Sequence, residues 1–301
     1  MLKAKNKIVI GIPTYKRNIE CMNLVRQLSS IDGIFDLAEI VIIDNHNDEE
    51  QHLKKKLAKL KLNDGLTYLV NEKNIGLDGS ILKMTRLAIQ RNTSLWFLSD
   101  DDKIYSHRVL DFLKHISSSN KPVNLCIFDY DQQNYKNVIR KKKYHYLRAS
   151  FLPTVAINPK KLNLSNLNYL IGTNYIHIAI VNSLIQGYDD ISIYSSPLGF
   201  QSKNQILTFN ISQTFIKGYY MCMLHDNLFS KEEIIKETTI RSKGYLGVTI
   251  KNIYKKNIYV NFEEIKLLFK TIYKYLGLKN LIKLFDRLFI IFFLSIFYKK
   301  S

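Results

Sequence analysis

The chain has 301 residues, of which 46% are hydrophobic and 12% aromatic; this excludes a disordered chain and suffices for one large core or two moderate ones. Lysine and arginine number 44 against 26 aspartates and glutamates, a formal charge of +18, so the surface attracts phosphates, nucleic acid or an anionic membrane face. Cys21, Cys126 and Cys222 stand far apart with no C-x-x-C spacing, which excludes a disulfide framework and a zinc cluster and points to a reducing cytosol.

The apolar run before Pro13 is only five residues long, too short for the core of a signal peptide, so no secretion is expected. Short β-branched runs predict buried strands at 8–12, 40–43, 66–70, 95–98 and 123–128. Helical spacing fills the intervals: Met22, Val25 and Leu28; Leu53, Leu57 and Leu60; then Val109, Phe112, Leu113 and Ile116 behind Ser106 as N-cap. Strands that alternate with helices and are apolar throughout predict an α/β fold, a Rossmann-like, mostly parallel sheet covered on both faces. After residue 130 the pattern loosens. Segment 131–148 is polar and basic, and 140–148 is read as a mobile loop, either a solvated surface or a phosphate-gathering lid. Residues 231–301 carry fifteen Lys or Arg against six Asp or Glu in helical patterns. The expected organisation is a domain over 1–230, with a nucleotide-binding half 1–130 and an acceptor half 131–230. A basic, largely helical C-terminal region follows over 231–301.

Ligands of an open parallel sheet bind beyond the carboxyl ends of its strands, and here those ends are polar. Strand one leads into Pro13, Thr14, Tyr15, Lys16 and Arg17, and strand two into Asp44. Strand three leads towards Asn74 and Gly76, and strand four into Asp100, Asp101 and Asp102. Three adjacent carboxylates repel one another unless a cation or hydrogen-bond donors offset the cost. A hard divalent ion, Mn²⁺ or Mg²⁺, does so with oxygen ligands and suits a diphosphate substrate. The alternative is an acidic loop capping the helix near Ser106. Alternation at that point turns Asp100 and Asp102 one way and Asp101 the other. Asp44 is placed to accept from a ribose hydroxyl or a base N–H, or else is a turn aspartate. Asn74 and Gly76 precede a helix whose N-terminus can hold a phosphate, though the pair is also ordinary turn chemistry. G-x-G-x-x-G, the P-loop and G-x-S-x-G are all absent from the sequence.

The segments IVIGIPTYKR, EIVIIDNHND, NEKNIGLDGSI and LWFLSDDDKI, in this order over residues 7 to about 130, resemble the family-two inverting glycosyltransferases of GT-A fold. The resemblance implies a nucleotide-diphosphate-sugar donor and a glycan or lipid-linked acceptor, of the bacterial surface-polysaccharide or lipopolysaccharide type. It implies that PTYKR lines the nucleotide site, that Asp44 meets the base, that Asp100 sits beside the ribose and that Asp101, with Asp102, holds the metal of a DxD-type motif. It also implies an acidic base at the head of a later helix, about eleven residues before a Gly-aromatic pair. The comparable stretch, 172–188, contains no acid. His177 is its nearest titratable group, or a packed core histidine, and Asp189 and Asp190 are the next candidates.

The tail carries an apolar run over 288–298, about 16 Å of helix at ~1.5 Å per residue against a bilayer core of roughly 30 Å, so it is not expected to cross. Flanked by Lys283, Arg287, Lys299 and Lys300, it is expected to lie in an anionic headgroup region, or else to pack on the domain or on a dimer partner. The expected setting is the cytoplasm, peripheral on the inner face of the cell membrane. Two other functions fit parts of the sequence. A sugar nucleotidyltransferase lacks its Gly-rich loop after strand one; a non-catalytic nucleic-acid-binding protein rests on charge and aromatic content alone, and no nucleic-acid partner is expected.

Overall fold

The computed structural model describes residues 7–46, 52–60, 65–129, 151–160, 162–186, 188–200, 212–225, 228–254, 260 and 262–297. The basic segment 131–148, with the loop expected at 140–148, lies outside them. The chain divides into two compact units, one of residues 1–169 and 176–203, the other of 170–175 and 204–301.

The first unit runs β1 (Ile8–Thr14), α1 (Asn18–Ser29), α2 (Ile34–Leu37), β2 (Ala38–Asp44), α3 (His52–Ala58), β3 (Leu66–Val70), α4 (Gly76–Gln90) and β4 (Leu95–Phe97). It continues with β5 (Lys103–Ile104), α5 (Ser106–Ser118), β6 (Val123–Asp129), β7 (Val155–Ile157), α6 (Ile176–Leu184) and β8 (Ile191–Phe200). The sheet order is β3-β2-β1-β4-β7-β6-β8-β5. β3, β2, β1 and β4 are parallel, as the alternation of strands and helices predicts. β7 then enters antiparallel to both β4 and β6, β8 runs parallel to β6, and β5 closes the edge antiparallel to β8. The four polar-tipped strands therefore share a direction, and their carboxyl ends form one edge.

Period-two alternation sorts the strand residues onto two faces. Ile8, Ile10, Ile12, Ile40, Ile42 and Trp96 join a core with α1, α3 and α5, to which Phe112 adds an edge-on ring 5.2 Å from Trp96. The Trp96 indole N–H is satisfied by the Pro153 carbonyl at 2.9 Å. On the other face α4 crosses so closely that a Cβ on Gly11 would stand 2.7 Å from Met84 Sδ and 3.0 Å from Leu95. Glycine there is what lets the helix seat on the strand. Ser106 does not cap α5. Tyr105 occupies the cap position without a side-chain bond, and Ser106 is the first helical residue.

The second unit holds a π-helical turn (Ser212–Gly218), α7 (Tyr219–Leu224), α8 (Lys231–Tyr254), α9 (Phe262–Leu276) and α10 (Leu278–Phe297). α8 buries Ile234, Thr238, Ser242, Leu246, Thr249 and Ile253 along one stripe. Its buried hydroxyls are satisfied within the helix: Thr238 donates to the Ile234 carbonyl (2.7 Å), Ser242 to Thr238 (2.7 Å) and Thr249 to Tyr245 (2.9 Å). Small polar residues can thus line a helix contact without orphaned groups. α10 packs on α8 and α9 through Leu284, Leu288, Ile291 and Leu294. One face of the tail is therefore core. The opposite face stays apolar and exposed, and among the described residues no helix is long and apolar enough to cross a membrane.

Candidate functional site

The parallel register brings Thr14 opposite Asp44, and Asp44 opposite Val70, so the chain leaves β1, β2 and β3 at one level. Thr14 ends β1, and its hydroxyl donates to Asp100 Oδ2 at 2.8 Å. Lys16 takes a positive φ of 57°, which turns the loop so that Arg17 faces back across the edge. Arg17 Nη1 donates to Asp100 Oδ1 at 3.1 Å and lies 3.0 Å from Asp101 Oδ2. One guanidinium thus bridges two consecutive carboxylates.

The three aspartates do not share an environment. Asp100 and Asp102 are buried while Asp101 keeps partial contact with solvent, as strand alternation predicts. Burial pushes the Asp100 carboxyl up to about 6, against the Thr14 hydrogen bond and Arg17, which pull it down. Burial also raises Asp102 well above the usual carboxylate range, opposed by its hydrogen bond from the Ser99 N–H at 2.6 Å. Asp102 Oδ1 is buried, with no hydrogen-bond partner among the described residues.

At the end of β2, Asp44 accepts from the Tyr68 hydroxyl (2.7 Å) and from the His46 N–H (2.8 Å). Tyr15 is exposed, with its ring edge-on to His46 at 5.9 Å. Asn74 Oδ1 accepts the Gly76 N–H at 2.8 Å, and Gly76 has a φ of 71° that admits the chain to α4. Pro13 lies in β1, buried with the strand.

Two further residues organise this edge that sequence reasoning missed. Asn45 is buried and makes four contacts: Nδ2 donates to Ser80 Oγ (2.8 Å) and the Gly76 carbonyl (3.4 Å), while Oδ1 accepts from Asn71 Nδ2 (2.9 Å) and the Ile75 N–H (3.3 Å). It ties β2 to the β3–α4 loop. Asp78, buried in the first turn of α4, accepts the Ile176 N–H at 3.2 Å and so holds the head of α6. Both stood in segments already singled out, but nothing local marks either as a long-range partner.

His177, on the first turn of α6, is buried beside that anchor. Asp189 and Asp190 are not brought to the site. They precede β8, whose first residue Ile191 pairs with Val123 at the start of β6; that level corresponds, through Ile157, to the start of β4 at Leu95. The pair therefore sits at the amino edge of the sheet, opposite Asp100–Asp102. There Asp190 accepts the Gln186 N–H at 2.7 Å in a turn.

The donors at the carboxyl edge fit a hard divalent cation. They are carboxylate oxygens, the Arg17 cation already stands against two of them, and an unpartnered carboxylate oxygen lies behind. Among the described residues no three such side chains converge on one point. An ion there would complete its shell from phosphate and water.

The model of a family described as Glycosyl transferase family 2 matches residues 9–184. A search of curated protein sequences returns no match. Among solved structures, S. aureus TarS residues 1–349 in complex with UDP-GlcNAc is similar at TM-score 0.60 and 14% identity, over 97% of this chain and 91% of that one. The mannosyltransferase PcManGT from Pyrobaculum calidifontis, in complex with GDP-Man and Mn²⁺, is similar at TM-score 0.54 and 13% identity, over 98% and 88%. At such identities the likeness speaks for the GT-A fold. The family model covers more than half of the chain, including the four strand ends that build the site, and the chain belongs to glycosyl transferase family 2.

Proposed function

We propose that the chain transfers a sugar from a nucleotide-diphosphate donor to a glycan or lipid-linked acceptor with inversion, assisted by a divalent cation, in surface polysaccharide or lipopolysaccharide synthesis. The observation that carries this reading is the Thr14–Arg17–Asp100–Asp101 cluster at the end of β1 and β4. TarS and PcManGT were solved with a UDP-sugar and with a GDP-sugar and Mn²⁺, which supports the donor class and the metal.

In this reading Asp44 accepts from the base, with Tyr68 and His46 fixing its carboxylate, and Tyr15 covers the nucleoside. Asp100 accepts from the ribose. Asp101, with Asp102 behind it, would hold the Mn²⁺ or Mg²⁺, which would supply positive charge opposite the diphosphate leaving group. Arg17 supplies a further cation to the same oxygens, and Asn74 and Gly76 present the head of α4. His177 is the base. It takes the proton of the acceptor hydroxyl as that oxygen bonds to the anomeric carbon and the bond from that carbon to the diphosphate breaks. A single displacement inverts the carbon. Catalysis takes place on the cytoplasmic side of the membrane, where the basic helical unit meets anionic lipid.

The test is thermal stabilisation by UDP-, GDP-, CDP- and dTDP-sugars with and without Mn²⁺. Metal-dependent stabilisation by one donor, followed by its turnover with an acceptor, supports the reading. No stabilisation by any of them would remove it.

A further inference from the structure

The helical unit carries a feature that sugar transfer does not use: a groove of about 610 Å³ between the first halves of α8 and α10. Lys236 and Lys243 project from α8, and Lys279 and Lys283 from α10, all four exposed. Its floor is apolar, with Ile235 and Leu284, and Glu232 is the acidic residue on its wall. Next to it α10 turns a second surface outward. Leu278, Ile282, Phe285, Phe289 and Phe293 recur every three or four residues, which sets them on one face of the helix, and all are exposed. Phe285 stacks on Phe289 at 5.8 Å, and Phe289 meets Phe293 at 4.5 Å, so the stripe is continuous. At 100° per residue Lys279 and Lys283 flank this stripe on the groove side.

Such a face is costly in water. A soluble surface rarely leaves a contiguous row of large apolar side chains uncovered. The choice of occupant follows from charge. A second copy would set four lysines against four across the contact, with one glutamate per groove to compensate, and like charges in an interface disfavour it. An anionic bilayer offers what both features want: phosphates for the lysines and an acyl boundary for the phenylalanines, side by side and parallel to the helix.

We infer that the lysine groove between α8 and α10 seats the headgroups of anionic phospholipids while the Leu278–Phe293 stripe enters the acyl boundary, so that α10 lies in the plane of the bilayer. This rests on the peripheral-membrane reading above and deepens it, because it names the surface. It also separates two faces of one helix: Leu284, Leu288, Ile291 and Leu294 hold the fold, and the stripe holds the lipid.

The experiment is flotation of the full chain with vesicles of phosphatidylcholine alone and with about a third phosphatidylglycerol. The wild type is compared with a Lys236→Gln, Lys243→Gln, Lys279→Gln, Lys283→Gln variant and a Phe285→Ser, Phe289→Ser, Phe293→Ser variant. Each is first checked by circular dichroism for wild-type secondary structure and melting. The wild type should float with the anionic vesicles only. The lysine variant should lose about a thousand-fold in partitioning, given the contribution of each of the four basic residues near an anionic leaflet. The phenylalanine variant should fall off at moderate salt. Wild type that floats with neither vesicle overturns the membrane reading itself. Wild type that floats, with a lysine variant that floats equally well, overturns the groove and leaves membrane binding to other residues. A dimer in sedimentation velocity that the phenylalanine variant dissolves makes a second copy the occupant. Saturable binding of inorganic phosphate without vesicles, abolished in the lysine variant, makes the groove a soluble-anion site.

Discussion

Arg17 and Asp100 meet at 3.1 Å although 83 residues separate them in sequence, and the same guanidinium nitrogen lies 3.0 Å from Asp101. The ends of β1 and β4 are thereby joined by a cation before any substrate arrives. In the proposed reading the carboxylates are held ready for positive charge and Arg17 faces the diphosphate. Electrostatic groups set in advance are the usual large term in such chemistry.

Asp101→Asn should lower turnover by about 10²–10³-fold while the melting temperature stays near wild type, since the side chain is partly exposed and outside the core. Mn²⁺-dependent stabilisation by the donor should vanish with it. Wild-type turnover together with intact Mn²⁺ stabilisation in this variant removes Asp101 as metal ligand.

Asp44→Ala should raise KM for the donor more than it lowers kcat, because hydrogen bonds to a base or a ribose do not change charge during transfer. The substitution also strips Tyr68 and the His46 N–H of their acceptor. Asp44→Asn, which retains an acceptor oxygen, should fall between. Titration calorimetry with the nucleoside diphosphate checks this, and unchanged affinity in the alanine variant takes Asp44 out of the site.

Asn45→Ala should destabilise the first unit by about 2–4 kcal/mol, because it leaves Asn71, Ser80 and the Ile75 N–H short of a buried partner. The melting temperature should fall by roughly 5–15 °C. Donor affinity should fall as well, since the loop before α4 is no longer tied to β2. A variant that melts like wild type shows that water replaces the amide.

His177→Gln should lower kcat by about 10²–10⁴-fold with little change in donor affinity or melting, the range expected when a positioned base is lost. Glutamine fills nearly the same volume in that buried place. The readout is single-turnover transfer with donor saturating. Undiminished turnover makes His177 a core residue of α6, and the base must then be sought elsewhere.

Deleting α10 should unfold the helical unit, because Leu284, Leu288, Ile291 and Leu294 are part of its core. Loss of helical circular dichroism well beyond the share of the deleted residues is the expected result. A truncated chain that melts cooperatively at the wild-type temperature would make the helix an appendage.

What the sequence determined by itself is whatever a local period can write. Runs such as Ile8–Ile12 and Ile40–Ile43 are apolar on both faces because parallel strands are covered on both sides, and helical spacing at Met22, Val25 and Leu28 predicts the cover. Polar residues directly after those runs mark the carboxyl edge, which is why Thr14, Asp44 and Asp100 were legible as neighbours. Burial that alternates from Asp100 to Asp102 follows from the same period of two. Direction and pairing are not local. Nothing in Val155–Ile157 says that it runs against β4 and β6, and β8, with serines among its apolar residues, carries no clear period. Because β8 starts level with β4, Asp189 and Asp190 fall at the far edge, a fact that only strand pairing decides. The Asn45 hub, the Asp78 hold on α6 and the Arg17 bridge likewise join residues dozens of positions apart. The tail shows the same division: its apolar content was plain in the sequence, but only packing against α8 and α9 decided which face is core and which face meets the solvent.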